Sequence, residues 1–101
     1  MVVKVFIRRE IKEGKSKDVL TLLKKFRLDA MDQAGYVSGE TLFNYDDPKK
    51  MVVAGMWQSI ENWLKWKENP DRQALEDEMN QFLNKPAEYE VYVLGAYSHR
   101  K

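Results

Sequence analysis

Four stretches that alternate at the period of a strand and two that repeat at the period of a helix predict an α+β domain of the ferredoxin-like βαββαβ kind. The strand-like stretches are residues 2–9, 37–45, 51–57 and 88–98; the helix-like ones are 17–34 and 60–83, the latter split in two. Their order is strand, helix, strand, strand, helical segment, strand, which gives two βαβ halves around an antiparallel four-stranded sheet. At 101 residues, 1–101 form one domain, near the size at which association often adds stability.

In the first stretch Val3, Val5 and Ile7 share one side while Lys4, Phe6 and Arg8 share the other. Phe6 on the polar side predicts that both faces are partly covered. Gly14-Lys15-Ser16 breaks the strand, and Ser16 is expected to cap the helix that follows. Val19, Leu22, Leu23, Phe26, Ala30 and Ala34 then recur at three- and four-residue spacing, with Leu28 opposite. Gly35 is placed to end this helix, because glycine takes a left-handed conformation without steric penalty.

Val37, Gly39, Thr41, Phe43 and Tyr45 are expected on one face of the second strand. Asp46-Asp47-Pro48-Lys49 reads as a turn, since aspartate bonds back to the backbone and proline presets φ, so 37–57 forms a hairpin. Ser59 is a candidate N-cap for a helix with Ile60, Trp63 and Leu64 on its stripe. Asn69-Pro70 starts a second helix, with Asp71 in its first turn and Leu75, Met79, Phe82 and Leu83 as its apolar side. Lys85-Pro86 ends it, residues 88–98 form the last strand, and His99-Arg100-Lys101 reads as a frayed, solvent-exposed tail.

Composition removes several function classes. The chain is 44% hydrophobic and 33% charged, as a soluble globular domain is, and 17 Lys and Arg against 16 Asp and Glu leave a net charge of +1. The pairs Arg8-Arg9, Lys24-Lys25 and Lys49-Lys50 are dispersed, which argues against a nucleic-acid or membrane-surface partner. Without cysteine there is no disulfide, thiolate nucleophile or thiolate metal site. With His99 the single histidine and Glu76-Asp77-Glu78 lacking ligand spacing, no metal site is expected, nor a Ser/His hydrolase. MVVKVFIRRE has the wrong charge order for a signal peptide, and no stretch approaches a membrane span, so the expected location is cytoplasmic.

All three tryptophans, Trp57, Trp63 and Trp66, lie in 51–69, where a strand gives way to a helix. Asn62 and Trp66, four apart, are neighbours on the flank of that helix. A large ring beside a short amide suits an amphiphilic aromatic ligand, and it suits an ordinary helix–sheet junction with Trp63 and Trp66 as core. Tyr36, Tyr45, Tyr89 and Tyr92 could each bond a substrate hydroxyl or be half-buried strand aromatics. Asn44, opposite Tyr45, reads as hairpin surface.

The order Gly35-Tyr36, Gly39, Asp47-Pro48, Trp57-x-Ser59, Trp63, Trp66 and Asn69-Pro70 resembles the antibiotic biosynthesis monooxygenase family, most strongly over 36–83. The resemblance implies a dimeric α+β barrel, in which two sheets face each other. It agrees with strands one, two and four being apolar on both sides, which one helix layer cannot cover. A two-fold homodimer is therefore expected. The resemblance also implies cofactor-independent oxidation of a phenolic, quinol or anthrone-like aromatic by dioxygen, with Asn62 and Trp66 matching the Asn-x-x-x-Trp pair of the anthrone oxygenases. Asn62 would donate to the developing oxyanion and Trp66 would pack on the substrate. Trp63, Trp57, Tyr36, Phe82 and Glu76 are the candidate substrate-binding residues. The haem-degrading branch uses Asn, Trp and His where this sequence has Ile7, Trp66 and Glu76. Glutamate is a poor haem ligand, so no cofactor is expected.

Three readings stay open: this monooxygenase, a non-catalytic barrel that binds a small hydrophobic ligand, and a dimerisation scaffold with a filled interior. A cavity beside Trp66 with at least two inward polar groups favours the first, an apolar cavity the second, and no cavity the third.

Overall fold

The computed structural model describes residues 1–95, so the expected end of the last strand and the His99-Arg100-Lys101 tail lie outside the described residues. The elements run β1 (Val3–Glu10), α1 (Ser16–Met31), β2 (Tyr36–Phe43), β3 (Lys50–Trp57), α2 (Ile60–Lys67), α3 (Pro70–Asn80) and β4 (Glu88–Val93). The strands pair antiparallel in the order β2-β3-β1-β4, the ferredoxin-like arrangement predicted from the sequence. No helix among the described residues is long and apolar enough to cross a membrane.

Local chemistry explains most boundaries. Ser59 accepts a hydrogen bond from the Asn62 amide and caps α2, and Asn69 accepts one from the Asp71 amide ahead of Pro70 and caps α3. In the hairpin turn Asn44 Oδ1 accepts from the amides of Asp46 and Asp47, and Asp47 Oδ1 accepts from Lys49. Ser16 does not cap α1. Lys15 occupies that position without a side-chain bond, because the turn through Gly14, at φ +76°, already feeds Ser16 into the first helical turn.

Three further boundaries differ from the expectation. α1 stops at Met31 and passes through a turn to Gly35, at φ +84°. An irregularity between Tyr36 and Ser38 interrupts the alternation of β2, so Val37 is exposed instead of sharing the face of Thr41. Tyr45 lies past the end of β2 and is 98% exposed. α3 ends at Asn80, and Phe82 and Leu83 follow in a turn where Leu83 bridges Ile11.

The helices cover one face of the sheet. There the core falls into two clusters, one of Val3, Val5, Ile7, Ala30 and the three tryptophans, the other built on Ile11, Val19, Leu22, Phe26, Met51, Met79 and Leu83. No helix among the described residues covers the opposite face. On it Phe6 meets Tyr92 edge-on, ring centroids 5.5 Å apart, and Arg8 bonds Glu90 at 2.9 Å. The bonds from Arg8 and Tyr92 hold the Glu90 carboxyl below its ordinary pKa, and the same bond raises that of Tyr92.

Candidate active site

Between the helix layer and the sheet lies a cavity of about 70 Å³ whose lining comes from both core clusters. Its aromatic wall includes Tyr36, Trp57 and Trp63: Tyr36 meets Trp57 edge-on at 5.3 Å and Trp57 meets Trp63 at 6.0 Å, while Trp63 meets Tyr89, which lies outside the lining, at 6.1 Å. Trp66 closes another side, and Leu23, Gly39 and Thr41 form a half-exposed rim between α1 and β2. Gly39 has a steric reason to lack a side chain, since a Cβ there would stand 2.8 Å from the Tyr36 hydroxyl.

At one end the wall changes character. Arg9 from β1 and Arg72 from α3 both line the cavity, and their side chains are 1% and 3% exposed. Arg9 Nη2 lies 2.8 Å and Arg72 Nη2 3.4 Å from one oxygen of Glu76, Oε1. Arg72 also donates to the Tyr89 hydroxyl at 3.1 Å, and that hydroxyl donates to Glu76 Oε1 at 3.2 Å. The Arg72 guanidinium stands over Phe26, Trp63 and Tyr89, and Arg9 over Phe26, each 5.2–5.5 Å from the ring centre. Burial pushes the Tyr89 phenol above its ordinary pKa, against the pull of Arg72 beside it. Arg9 Nε and Glu76 Oε2 are buried without a hydrogen-bond partner among the described residues.

The expected site residues divide among four places. Trp57, Trp63, Trp66 and Tyr36 meet at the cavity. Glu76 does not touch it but holds both arginines that do. Asn62 lies on the far side of Trp66, in a recess of about 290 Å³ that it shares with Gln33, Lys65 and Asn69, while Trp66 borders both spaces. The Ser59 hydroxyl donates to Asn62 Oδ1 at 2.7 Å, which leaves the Nδ2 hydrogens as the donor end of that amide. Phe82 packs beside Leu83 and Met79 in the second core cluster, away from the cavity.

Arg9 and Arg72 did not stand out in the sequence. The signal was parity: Arg9 continues the face of Val3, Val5 and Ile7, and Arg72 falls seven residues before Met79 and four before Glu76, on the buried side of α3.

The sequence model of the antibiotic biosynthesis monooxygenase family matches residues 2–78. The chain belongs to the antibiotic biosynthesis monooxygenase family. Solved structures share the fold of this monooxygenase-family chain at low identity. A conserved protein from Methanosarcina mazei Go1 is 13% identical, with 91% of each chain covered and a TM-score of 0.85. Rv0793 from Mycobacterium tuberculosis is 15% identical over 93% of this chain and 95% of its own, with a TM-score of 0.83. SnoaB, a cofactor-independent oxygenase from Streptomyces nogalater, is 13% identical over 93% of each chain, also with a TM-score of 0.83. No curated protein matches the chain.

Proposed function

We propose that this chain is a cofactor-independent monooxygenase that oxidises a small phenolic or quinol aromatic with dioxygen and works as a homodimer joined through the helix-free face of its sheet. The observation that carries the reading is the cavity beside Trp66, walled by aromatic rings and reached by two buried guanidiniums, Arg9 and Arg72, with Arg27 at its exposed rim bonded to the Gly39 carbonyl. Family membership and the likeness to SnoaB support the same chemistry.

Size selects among the aromatics. At about 70 Å³ the cavity is smaller than the roughly 150 Å³ cavity that admits benzene. A single ring therefore needs a smaller displacement of the lining than an anthrone of three fused rings does. A monocyclic quinol is therefore the preferred substrate.

The balance for such a substrate is quinol plus dioxygen giving hydroxyquinone plus water. All four electrons taken up by dioxygen come from the ring, so no external reductant is consumed. The protein has to hold the ring, let a phenolic proton leave and stabilise the resulting anion. Trp63 and Trp66 hold the ring, and the guanidiniums favour the anion. Asn62 lies in the recess beyond Trp66 and not in the cavity, so it is the proposed donor to the developing oxyanion, through Nδ2, only for a substrate that reaches into that recess.

The test is anaerobic titration of the purified protein with hydroquinones and dithranol, followed by tryptophan fluorescence, and then admission of air. Oxygen uptake with the hydroquinones and not with dithranol, above the rate without protein and reduced in Trp66→Phe, is the expected result; a loss in Asn62→Ala as well would put the substrate in the recess beyond Trp66. Quenching without oxygen uptake would overturn the enzymatic reading and leave a ligand-holding barrel.

A further inference from the structure

We propose that the ring carries a carboxylate and that Arg9 and Arg72 receive it, so that the substrate class is a hydroxyaryl carboxylate. This rests on the cavity being the substrate site.

The argument begins with a count of charges. Two guanidiniums are buried at the cavity end, and one carboxylate, that of Glu76, is bonded to them through a single oxygen. Tyr89 is a phenol held protonated by burial and adds no negative charge at neutral pH. No compensating negative charge comes from Lys67, whose Nζ lies 4.7 Å from the centre of the Tyr89 ring, or from Arg27 at the exposed rim of the cavity; both add positive charge. One buried positive charge is therefore in excess. A buried charge without a counter-ion is costly, and stacking on Phe26, Trp63 and Tyr89 offsets only part of that cost for Arg72. Arg9 also holds a buried N–H, at Nε, with no acceptor among the described residues.

A carboxylate answers both deficits. It is planar, matches the guanidinium fork with two parallel bonds, and brings one negative charge at neutral pH. A simple quinol keeps its protons at that pH and brings none. The ring of such a ligand would extend from the arginines along Trp63 and Trp66, the apolar remainder of the same cavity.

The probes are 2,5-dihydroxybenzoate, 2,5-dihydroxybenzamide and hydroquinone, titrated anaerobically at pH 7 against the full chain with tryptophan fluorescence as readout. The acid is expected to bind at least about tenfold more tightly than the amide, as a charge-assisted bidentate pair should. Arg72→Gln is expected to abolish that preference while its circular dichroism stays native. Equal affinity for acid and amide, or preference for the amide, in the unsubstituted protein would overturn the proposal, and this comparison needs no variant to fold. Admitting air separates the two readings. Oxygen uptake with hydroquinone and no preference for the acid would refute the carboxylate while keeping the monooxygenase. A preference for the acid without oxygen uptake would support the carboxylate and refute the monooxygenase.

Discussion

Asn62 occupies the space in which Gly35 would carry a Cβ. A methyl group built on Gly35 collides with the amide group of Asn62, and Gly35 stands at φ +84° besides. Gly14 has a similar φ of +76° but nothing within 4 Å of its missing Cβ. The two glycines thus share a backbone requirement, and Gly35 alone shares it with a candidate site residue.

Gly14→Ala is expected to cost about 1–2 kcal/mol, the penalty for a Cβ in the left-handed region. Gly35→Ala should cost a further ~1–3 kcal/mol, because the overpacked Asn62 must move. Urea denaturation of both variants measures the difference. A Gly35→Ala variant no less stable than Gly14→Ala would contradict the close packing.

Trp66 is 4% exposed and belongs to the first core cluster as well as to the cavity wall. Trp66→Ala is expected to lose about 3–5 kcal/mol in the same experiment, because the space it leaves far exceeds what the cavity now offers. Trp66→Phe should keep most of the stability and is the variant for activity measurements.

Glu76→Gln would leave two buried guanidiniums without a counter-charge. A loss of about 3–5 kcal/mol is expected, the usual result of removing one partner of a buried pair. Exchange of Glu13, the exposed partner of Lys49, for Gln serves as the control and should change stability by less than ~1 kcal/mol.

Tyr89 gives a pH signature. Its folded-state pKa is raised above the ordinary value of 10.0, chiefly by burial, so the unfolded chain gives up the proton at lower pH than the folded one. The stability it contributes is complete below pH 10 and falls as pH rises through the folded-state value. Denaturation midpoints between pH 9 and 11.5 should decline more steeply for the unsubstituted protein than for Tyr89→Phe. Parallel curves would show that the phenol does not titrate late.

The proposed homodimer places Phe6, Val52, Met56 and Tyr92 of one copy against those of the other. Phe6→Glu is expected to shift the sedimentation coefficient from that of a dimer to that of a monomer without loss of helix signal. A monomer before substitution would remove the proposed dimer.

The outline of the fold was legible because its signals are local. Ser59 and Asn69-Pro70 announce their helices through bonds made within three residues, and the Asn44–Lys49 turn closes with its own side chains. The bend between Tyr36 and Ser38 was not legible, since alternation in the sequence continues through it and only pairing with β3 reveals the slip. Ser16 misled for a related reason: a cap is decided by the path of the chain through Gly14, not by residue type alone. Of the cavity lining, the three tryptophans and Tyr36 were singled out from composition and resemblance. The polar end was missed because Arg9 and Arg72 lie 63 positions apart and become a pair only through Glu76. Helical spacing placed Asn62 beside Trp66 correctly but could not tell which side of the indole faces the cavity.

The slip in β2 bears on how readily that edge could pair with another chain. β2 is an outer strand, and Val37, Leu42 and Phe43 on it are all at least 44% exposed. A straight strand with those side chains would be a template for adding another chain edge to edge. The irregularity at Tyr36–Ser38 breaks the even ladder at the Val37 end of that edge, one of the devices that blunt edge strands. Removing it would straighten β2 and expose the concentrated protein to open-ended polymerisation along that edge.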